Sequence, residues 1–317
     1  MGPRLGVNLL GRDPGGWLDD CRRVEALGFD EISVADHLVK GAKSPLVALA
    51  AAAAVTERVT FSTMVLNNLL RHPAELAAEA ATLQAISGGR LTLGMGAGNA
   101  ASEHDAIGVA LPPVAERLDR LEEAVAALRA LLRGETVNRH GQHYQLSDHR
   151  VWPVPRPPVP ILVGGGSHRL LEVAARHADV VGFTGFSATG SGPRLTHFSA
   201  EGLDRRLEHV WAAAGDRAPD LRGQVLVQQV TISDDREAAA ASLADQWAAD
   251  GQALSVAEVL DCPFLLLGTP TEIAGQLRDG SERWGIDTWT TFSGRPIDPP
   301  LEATAEIAAE LARGPAR

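Results

Sequence analysis

The sequence predicts an α/β protein with a (β/α)8 fold, a closed TIM barrel. Eight short apolar segments are spread along its 317 residues, and nearly all of them precede a segment with helical periodicity. Regular alternation with short connections predicts a parallel sheet covered by helices, and eight repeats in roughly 300 residues match a closed barrel. A doubly wound open sheet is the alternative topology. No linker or low-complexity segment divides the chain, so residues 1–317 are expected to form a single domain.

Four strand–helix units are predicted in the first third of the chain. The strands are RLGVNLL, DEISVAD, RVTFSTMVL and RLTLGMGAG. Asp13-Pro14 is expected to begin the first helix, because a capping side chain followed by proline favours a helix start, and Gly28 to end it. Proline at the first position predicts the next two helices, over residues 45–55 and 73–86.

The rest of the chain repeats the pattern with insertions after strands 4, 6 and 7. Its strands are predicted at PVPILVGGGS, DVVGFTG, GQVLVQQVTI and DTWTTF. The first insertion holds a helix after Pro112-Pro113, with apolar residues three and four apart, and then a polar hairpin. The second holds a glycine- and serine-rich stretch over 186–199, predicted to be a mobile loop. The third holds a long helical region over 236–250.

Composition favours a protein that acts on small molecules. The formal net charge is −11, which argues against a nucleic-acid partner or an anionic membrane surface. The longest apolar stretch, 46–55, is too short to span a bilayer, and the N-terminus lacks the apolar core of a signal peptide. Cys21 and Cys262 lie far apart and suggest neither a disulfide framework nor a zinc site. A cytoplasmic location is expected.

Polar residues collect where the predicted strands end. Asp36 and His37 end the second strand, and the segment MGAGNAASEHD brings Gly98, Asn99 and Glu103 to the end of the fourth. In a barrel, the active site lies at the carboxyl ends of the strands. These side chains are hard to explain by packing alone, so the sequence predicts a site at this end.

Glycines follow two of these strands, and they allow more than one interpretation. Gly96-Ala97-Gly98 lacks the third glycine of a dinucleotide-binding loop, since Ala101 stands in its place. Gly164-Gly165-Gly166-Ser167 leads into a predicted helix, whose first backbone N–H groups could bind a phosphate. A turn that needs only positive φ explains the same glycines.

Several histidines are not expected to act in catalysis. His104, next to Glu103, is predicted to be an exposed or packing residue. His140, His143 and His149 lie within ten residues of one another, in the predicted polar hairpin. No cysteine accompanies them, so no metal site is predicted.

Four stretches, in this order and spacing, resemble the luciferase-like monooxygenase superfamily. They are GFDEISVADHL, NNLLRHPAELAAEAATLQAISGGRLTLGMGAG, Glu103 with the nearby DAIGV, and PVPILVGGGS with AARHADVVGF. Within this superfamily, the chain is most similar to the branch that uses the deazaflavin coenzyme F420.

The resemblance implies a TIM barrel, often a homodimer, with the cofactor ring across the strand ends. It implies a non-prolyl cis peptide bond between Met64 and Val65 behind this ring, and a proton donor or ring contact at Glu103. The cofactor-binding residues it implies are Asp36, Met64, Val65, Gly98, Asn99, Val163, Gly164, Gly165, Gly166, Ser167 and Thr184.

The implied activity is an F420-dependent oxidoreductase that moves a hydride between the deazaflavin and a carbonyl, imine or activated alkene. Two alternatives are a reduced-FMN-dependent monooxygenase and a non-catalytic flavin-binding protein. His37 is the first choice for the acid–base residue and Glu103 the second. An ordinary histidine pKa of ~6.5 suits proton transfer at neutral pH. Glutamate has an ordinary pKa of ~4.3 and would need burial to donate a proton at that pH.

The sequence departs from the F420-dependent sugar-phosphate dehydrogenases of the superfamily. Leu38 and Val39 follow the Asp-His pair, where those enzymes have an aromatic residue. The chain also has only two lysines, Lys40 and Lys43, to bind a substrate phosphate. A sugar phosphate is therefore not the expected substrate.

Overall fold

Eight parallel strands form a closed barrel, which confirms the predicted fold. The computed structural model describes residues 2–10, 14–39, 42–189, 192–195, 198–249 and 253–314. Parallel pairing continues around the whole sheet, from Arg4–Leu9 with Ile286–Ser293 to Thr60–Thr63 with Leu91–Gly96, so the sheet has no free edge, unlike the open-sheet alternative. The barrel strands are β1 (Arg4–Leu9), β2 (Glu31–Val34), β3 (Thr60–Thr63), β4 (Leu91–Gly96), β5 (Ile161–Gly164), β6 (Val180–Thr184), β7 (Arg222–Leu226) and β8 (Ile286–Ser293).

Helices surround the barrel and bury their apolar faces against it. The predicted starts at Pro45 and Pro73 are confirmed, whereas Asp13 lies outside the described residues and the first α-helix follows Gly16. None of the helices in the described ranges is long and apolar enough to cross a bilayer. They are α1 (Trp17–Ala26), α2 (Pro45–Ala53), α3 (Pro73–Ile86), α4 (Ala101–Ala106), α5 (Val114–Leu132), α6 (His168–His177), α7 (Ala200–Ala214), α8 (Arg236–Ala249), α9 (Val256–Leu260), α10 (Pro270–Trp284) and α11 (Leu301–Arg313).

The segment GQVLVQQVTI is two strands rather than the single strand predicted. Its first half is β7, and its second half, Gln229–Ile232, leaves the barrel and pairs with Leu265–Gly268. The backbone N–H of Gln228 donates to the Phe264 carbonyl at 2.7 Å, which draws the chain out of the barrel register. Alternation of apolar residues continues through this bend, so the pattern could not reveal it.

The insertion after β6 contains more structure than a loop. Phe186–Thr189 and Gly192–Leu195 pair as antiparallel strands, so the loop predicted over 186–199 was wrong there. Residues 190, 191, 196 and 197 lie outside the described residues. The hairpin predicted in the first insertion is confirmed by Val137–His140 and Gln145–His149.

Glu123, on α5, binds the turn of this first hairpin. The Glu123 carboxylate accepts backbone N–H groups of Gln142, His143 and Tyr144 at 2.9, 3.0 and 3.2 Å. Burial raises the pKa of Glu123, but these hydrogen bonds outweigh burial and leave the pKa below its ordinary value.

Glu123→Gln is therefore expected to remove part of the dependence of stability on acid pH. Because the pKa of Glu123 is lower in the folded state, its carboxylate stabilises the fold at pH values above the unfolded-state pKa of ~4.3. This stability is lost as the pH falls through the folded-state pKa. Urea unfolding between pH 7 and pH 3 measures this, with the variant losing less stability than the wild type on acidification. Glu201→Gln, in an exposed pair with Arg205, controls for the loss of a surface carboxylate. If Glu123→Gln lost as much stability between pH 7 and pH 3 as the wild type, the prediction would be contradicted.

Candidate functional site

A cleft of about 380 Å³ opens at the carboxyl ends of the barrel strands. All the residues predicted for the site line it except Val163. Val163 is fully buried, while its neighbours Leu162 and Gly164 line the cleft, as the alternation of side chains along a strand requires. The predicted site residues are therefore brought together at one end of the barrel.

His37 and Glu103 form a hydrogen-bonded pair at the rim of this cleft. His37 Nδ1 lies 2.8 Å from Glu103 Oε1, and the backbone N–H of Leu38 donates to Glu103 Oε2 at 2.7 Å. The His37 side chain is 48% exposed and that of Glu103 only 12%. Both carboxylate oxygens are thus occupied, and the carboxylate fixes the orientation of the imidazole.

Glu103 reaches this position from a short helix that follows β4. The segment Ala101–Ala106 forms α4, and Glu103 lies in its first turn. The next residue, His104, is buried, and its Nε2 lies 2.9 Å from Asn67 Nδ2. Because Asn67 Oδ1 accepts the N–H of Leu69, the Asn67 nitrogen is the donor to His104. His104 therefore supports the end of β3 as a packing residue.

Asp36 is held beneath the rim by Arg71, which lies just before α3. Arg71 Nη1 and Nη2 donate to the two Asp36 oxygens at 2.5 and 3.2 Å, and the backbone N–H of Asn67 donates at 3.0 Å. The Asp36 side chain is 3% exposed. Asp36 thus joins the end of β2 to the segment after β3, while still lining the cleft.

One wall of the cleft is formed by the glycine-rich end of β4 and the segment around Met64-Val65. The Met64-Val65 peptide bond is cis, as the resemblance implied. A Cβ at Gly94 would overlap the carbonyl oxygen of Thr63, and one at Gly96 would lie 2.5 Å from Val65 Cγ2. Glycine at both positions lets β4 approach the chain around this bond, and Gly98 does the same beside Asn67.

Hydrogen-bond donors also line the cleft. Ser167 caps α6, with its Oγ accepting the Leu170 N–H at 3.4 Å, and the N-terminal end of the helix lies beside the cleft. Arg117 also lines the cleft, where it donates to the Gly98 carbonyl, and its buried Nε has no partner among the described residues. Burial lowers the pKa of Arg117. Sequence reasoning missed Arg117 because it lies on a helix that was interpreted only as core-facing.

The described residues contain no cluster of three or more histidine, cysteine or acidic side chains arranged for a metal ion. His140 instead bonds to Gln145 across the hairpin, with Nδ1 3.0 Å from Oε1.

The closed barrel and its rim define a (β/α)8 protein with a ligand cleft at the strand ends. Within this class, the chain belongs to the luciferase-like monooxygenase family, which it matches over residues 13–288.

The chain is similar to an F420-dependent glucose-6-phosphate dehydrogenase of Kineococcus radiotolerans, with 39% identity over 173 residues. This match covers 52% of the chain and 51% of the relative, so it spans about half of each.

Two solved structures share the whole fold. An F420-dependent secondary alcohol dehydrogenase in complex with an F420-acetone adduct has a TM-score of 0.75 and 19% identity, over 98% of this chain and 99% of that one. Monooxygenase RslO1 from Streptomyces bottropensis has a TM-score of 0.70 and 24% identity, over 98% of each chain. At these identities, the likeness concerns the fold.

Proposed function

We propose that this protein is a coenzyme F420-dependent oxidoreductase that transfers a hydride between the reduced deazaflavin and a small organic substrate. The observation that carries the proposal is the His37–Glu103 pair at the rim of the cleft at the strand ends. The similarity to F420-dependent relatives supports the choice of cofactor. A protein that only stored a cofactor would not need a proton-handling pair.

The residues present fit a long cofactor with a ring at one end and an anionic group farther along. Gly96, Met64 and Val65 line the cleft side by side, and glycine at position 96 lets the Val65 side chain lie close to β4, which leaves space for a ring. The first N–H groups of α6 and the Arg117 guanidinium, which also line the cleft, suit a phosphate. Gly98, Asn99, Gly164–Ser167 and Thr184 would make further contacts with the cofactor.

The chain's own share of the reaction is to position the reactants and manage one proton. A deazaflavin bound here would supply or accept the hydride, since its ring has carbon where a flavin has its reactive nitrogen. The Nδ1–H group of His37 donates a hydrogen bond to Glu103. Nε2 is therefore the atom that gives a proton to the substrate or takes one from it. Glu103 acts mainly by orienting His37, because Leu38 occupies its second oxygen.

The substrate is proposed to be a carbonyl, an imine or an activated alkene. Leu38 and Val39 are exposed beside His37, where an apolar substrate group would bind. The protein is further proposed to be a single-domain, cytoplasmic homodimer, and gel filtration with light scattering would test the dimer.

Anaerobic titration with F420 and with FMN tests the cofactor. F420 is expected to bind with micromolar or tighter affinity and to change its fluorescence, with FMN binding more weakly. Binding of FMN without F420 would instead support the reduced-FMN-dependent monooxygenase, and binding of neither would refute both functions.

A further inference from the structure

Gln224 is a buried residue in the middle of β7 that lines the cleft. Its Nε2 donates to Glu31 Oε1 at 2.7 Å and to Thr290 Oγ1 at 2.9 Å. Glu31 lies on β2, across the barrel from β7, so this contact passes through the barrel interior. Both amide protons are committed to acceptors, and a flip of the amide would place its oxygen against the Glu31 carboxyl oxygen.

The groups that hold Gln224 are themselves buried and closely packed. Glu31 and Thr290 are buried, and desolvation raises the pKa of Glu31. A Cβ at Gly6 would lie 3.0 Å from Thr290 Oγ1 and 3.2 Å from Glu31 Cβ, so glycine at this position makes room for the two side chains. The orientation of the Gln224 amide is therefore set by the barrel and does not depend on a ligand.

The consequence is a single acceptor at the floor of the cleft. Gln224 Oε1 has no partner among the described residues, and its neighbours in the lining include Leu162 and Leu226. A ligand that covered this acceptor would have to offer it a donor, because a buried acceptor without one costs free energy. His37 and Glu103 act at the rim, so the substrate belongs there and the floor is left to the inner edge of the cofactor ring.

We infer that Gln224 Oε1 accepts a hydrogen bond from the imide N–H of a pyrimidinedione ring, which makes Gln224 a specificity-determining residue. This edge, an N–H between two carbonyls, is common to deazaflavins and flavins. The inference rests on the proposed function, since it assumes that a ring of this kind occupies the cleft.

A cycle of two ligands and two proteins tests this contact. The ligands are 8-hydroxy-5-deazariboflavin and its N3-methyl derivative, and the proteins are the wild type and Gln224→Met. The wild type is expected to bind the methylated ligand about 10-fold or more weakly, in line with a lost buried hydrogen bond. Gln224→Met is expected to bind the two ligands within about 2-fold of each other, since it offers no acceptor. Equal losses in both proteins, or no loss in the wild type, would overturn the inference.

Two further variants guard against a folding artefact. Gln229→Met makes the same change at a buried glutamine that does not line the cleft, and it should keep the wild-type discrimination. Thr290→Val removes one of the two acceptors that hold the Gln224 amide and should therefore reduce the discrimination in part. This variant provides the test if Gln224→Met does not fold.

Riboflavin and N3-methylriboflavin form a parallel arm that identifies the source of the ring. Weaker binding of the N3-methyl ligand in the deazaflavin pair supports the contact of Gln224 with a deazaflavin ring. The same result in the riboflavin pair supports its contact with a flavin ring. Tight F420 binding without discrimination would overturn this inference alone. Failure of F420 and both ring systems to bind would overturn the proposed function as well.

Discussion

His37→Asn is expected to lower the rate of F420-linked turnover about 100-fold or more, while changing the Kd for F420 less than about 3-fold. A positioned general acid or base contributes ~10²–10⁴ to a rate, and asparagine cannot carry the proton. The rate would be measured as oxidation of reduced F420 by the carbonyl, imine or alkene that turns over fastest in a substrate panel. The Kd comes from the anaerobic titration.

Two comparisons separate proton transfer from a structural role. His140→Asn changes an exposed histidine on the first hairpin and should leave the rate unaltered. Added imidazole should restore part of the rate in His37→Ala, because the free base can enter the space and carry the proton. A full rate in His37→Asn, or no rescue in His37→Ala, would remove His37 from the proton-transfer step.

Arg71→Met is expected to destabilise the fold by about 3–5 kcal/mol, because it leaves the Asp36 carboxylate buried without its cation. The free energy of unfolding in urea measures this loss. The double variant Asp36→Asn/Arg71→Met should recover part of it, since no buried charge remains. Asp36 also fixes the backbone of Asn67, so the single variant should weaken F420 binding too.

An exposed pair serves as the matched control for this loss. Arg22→Met breaks a contact with Asp19 between two side chains that are largely exposed, and it should cost about 1 kcal/mol or less. A loss of similar size in Arg71→Met would mean that Arg71 adds little to the fold.

The sequence was sufficient for the barrel because each strand–helix unit carries its own local signal. Proline at the first helical position placed the starts of α2 and α3, and the strand ends brought Asp36, His37 and Glu103 to one rim. The resemblance also implied the cis bond at Met64-Val65, which the structure confirms.

What the sequence did not reveal depends on contacts between distant residues. Arg71 and Asp36 are 35 positions apart, and Gln224 and Glu31 are 193 apart. No periodic pattern records such pairs. The strand Leu265–Gly268 was missed for the same reason, since its partner is a strand that leaves the barrel.

The glycine-rich wall of the cleft limits how its selectivity can be changed. A side-chain wall can be reshaped by substitution or by a new rotamer, but added atoms at Gly94 or Gly96 collide with β3 and the cis segment. Phe186, in contrast, reaches the cleft from the insertion after β6. Directed evolution toward new substrates should therefore find its productive changes around Phe186 and the insertions, with the glycine wall remaining invariant in the surviving library.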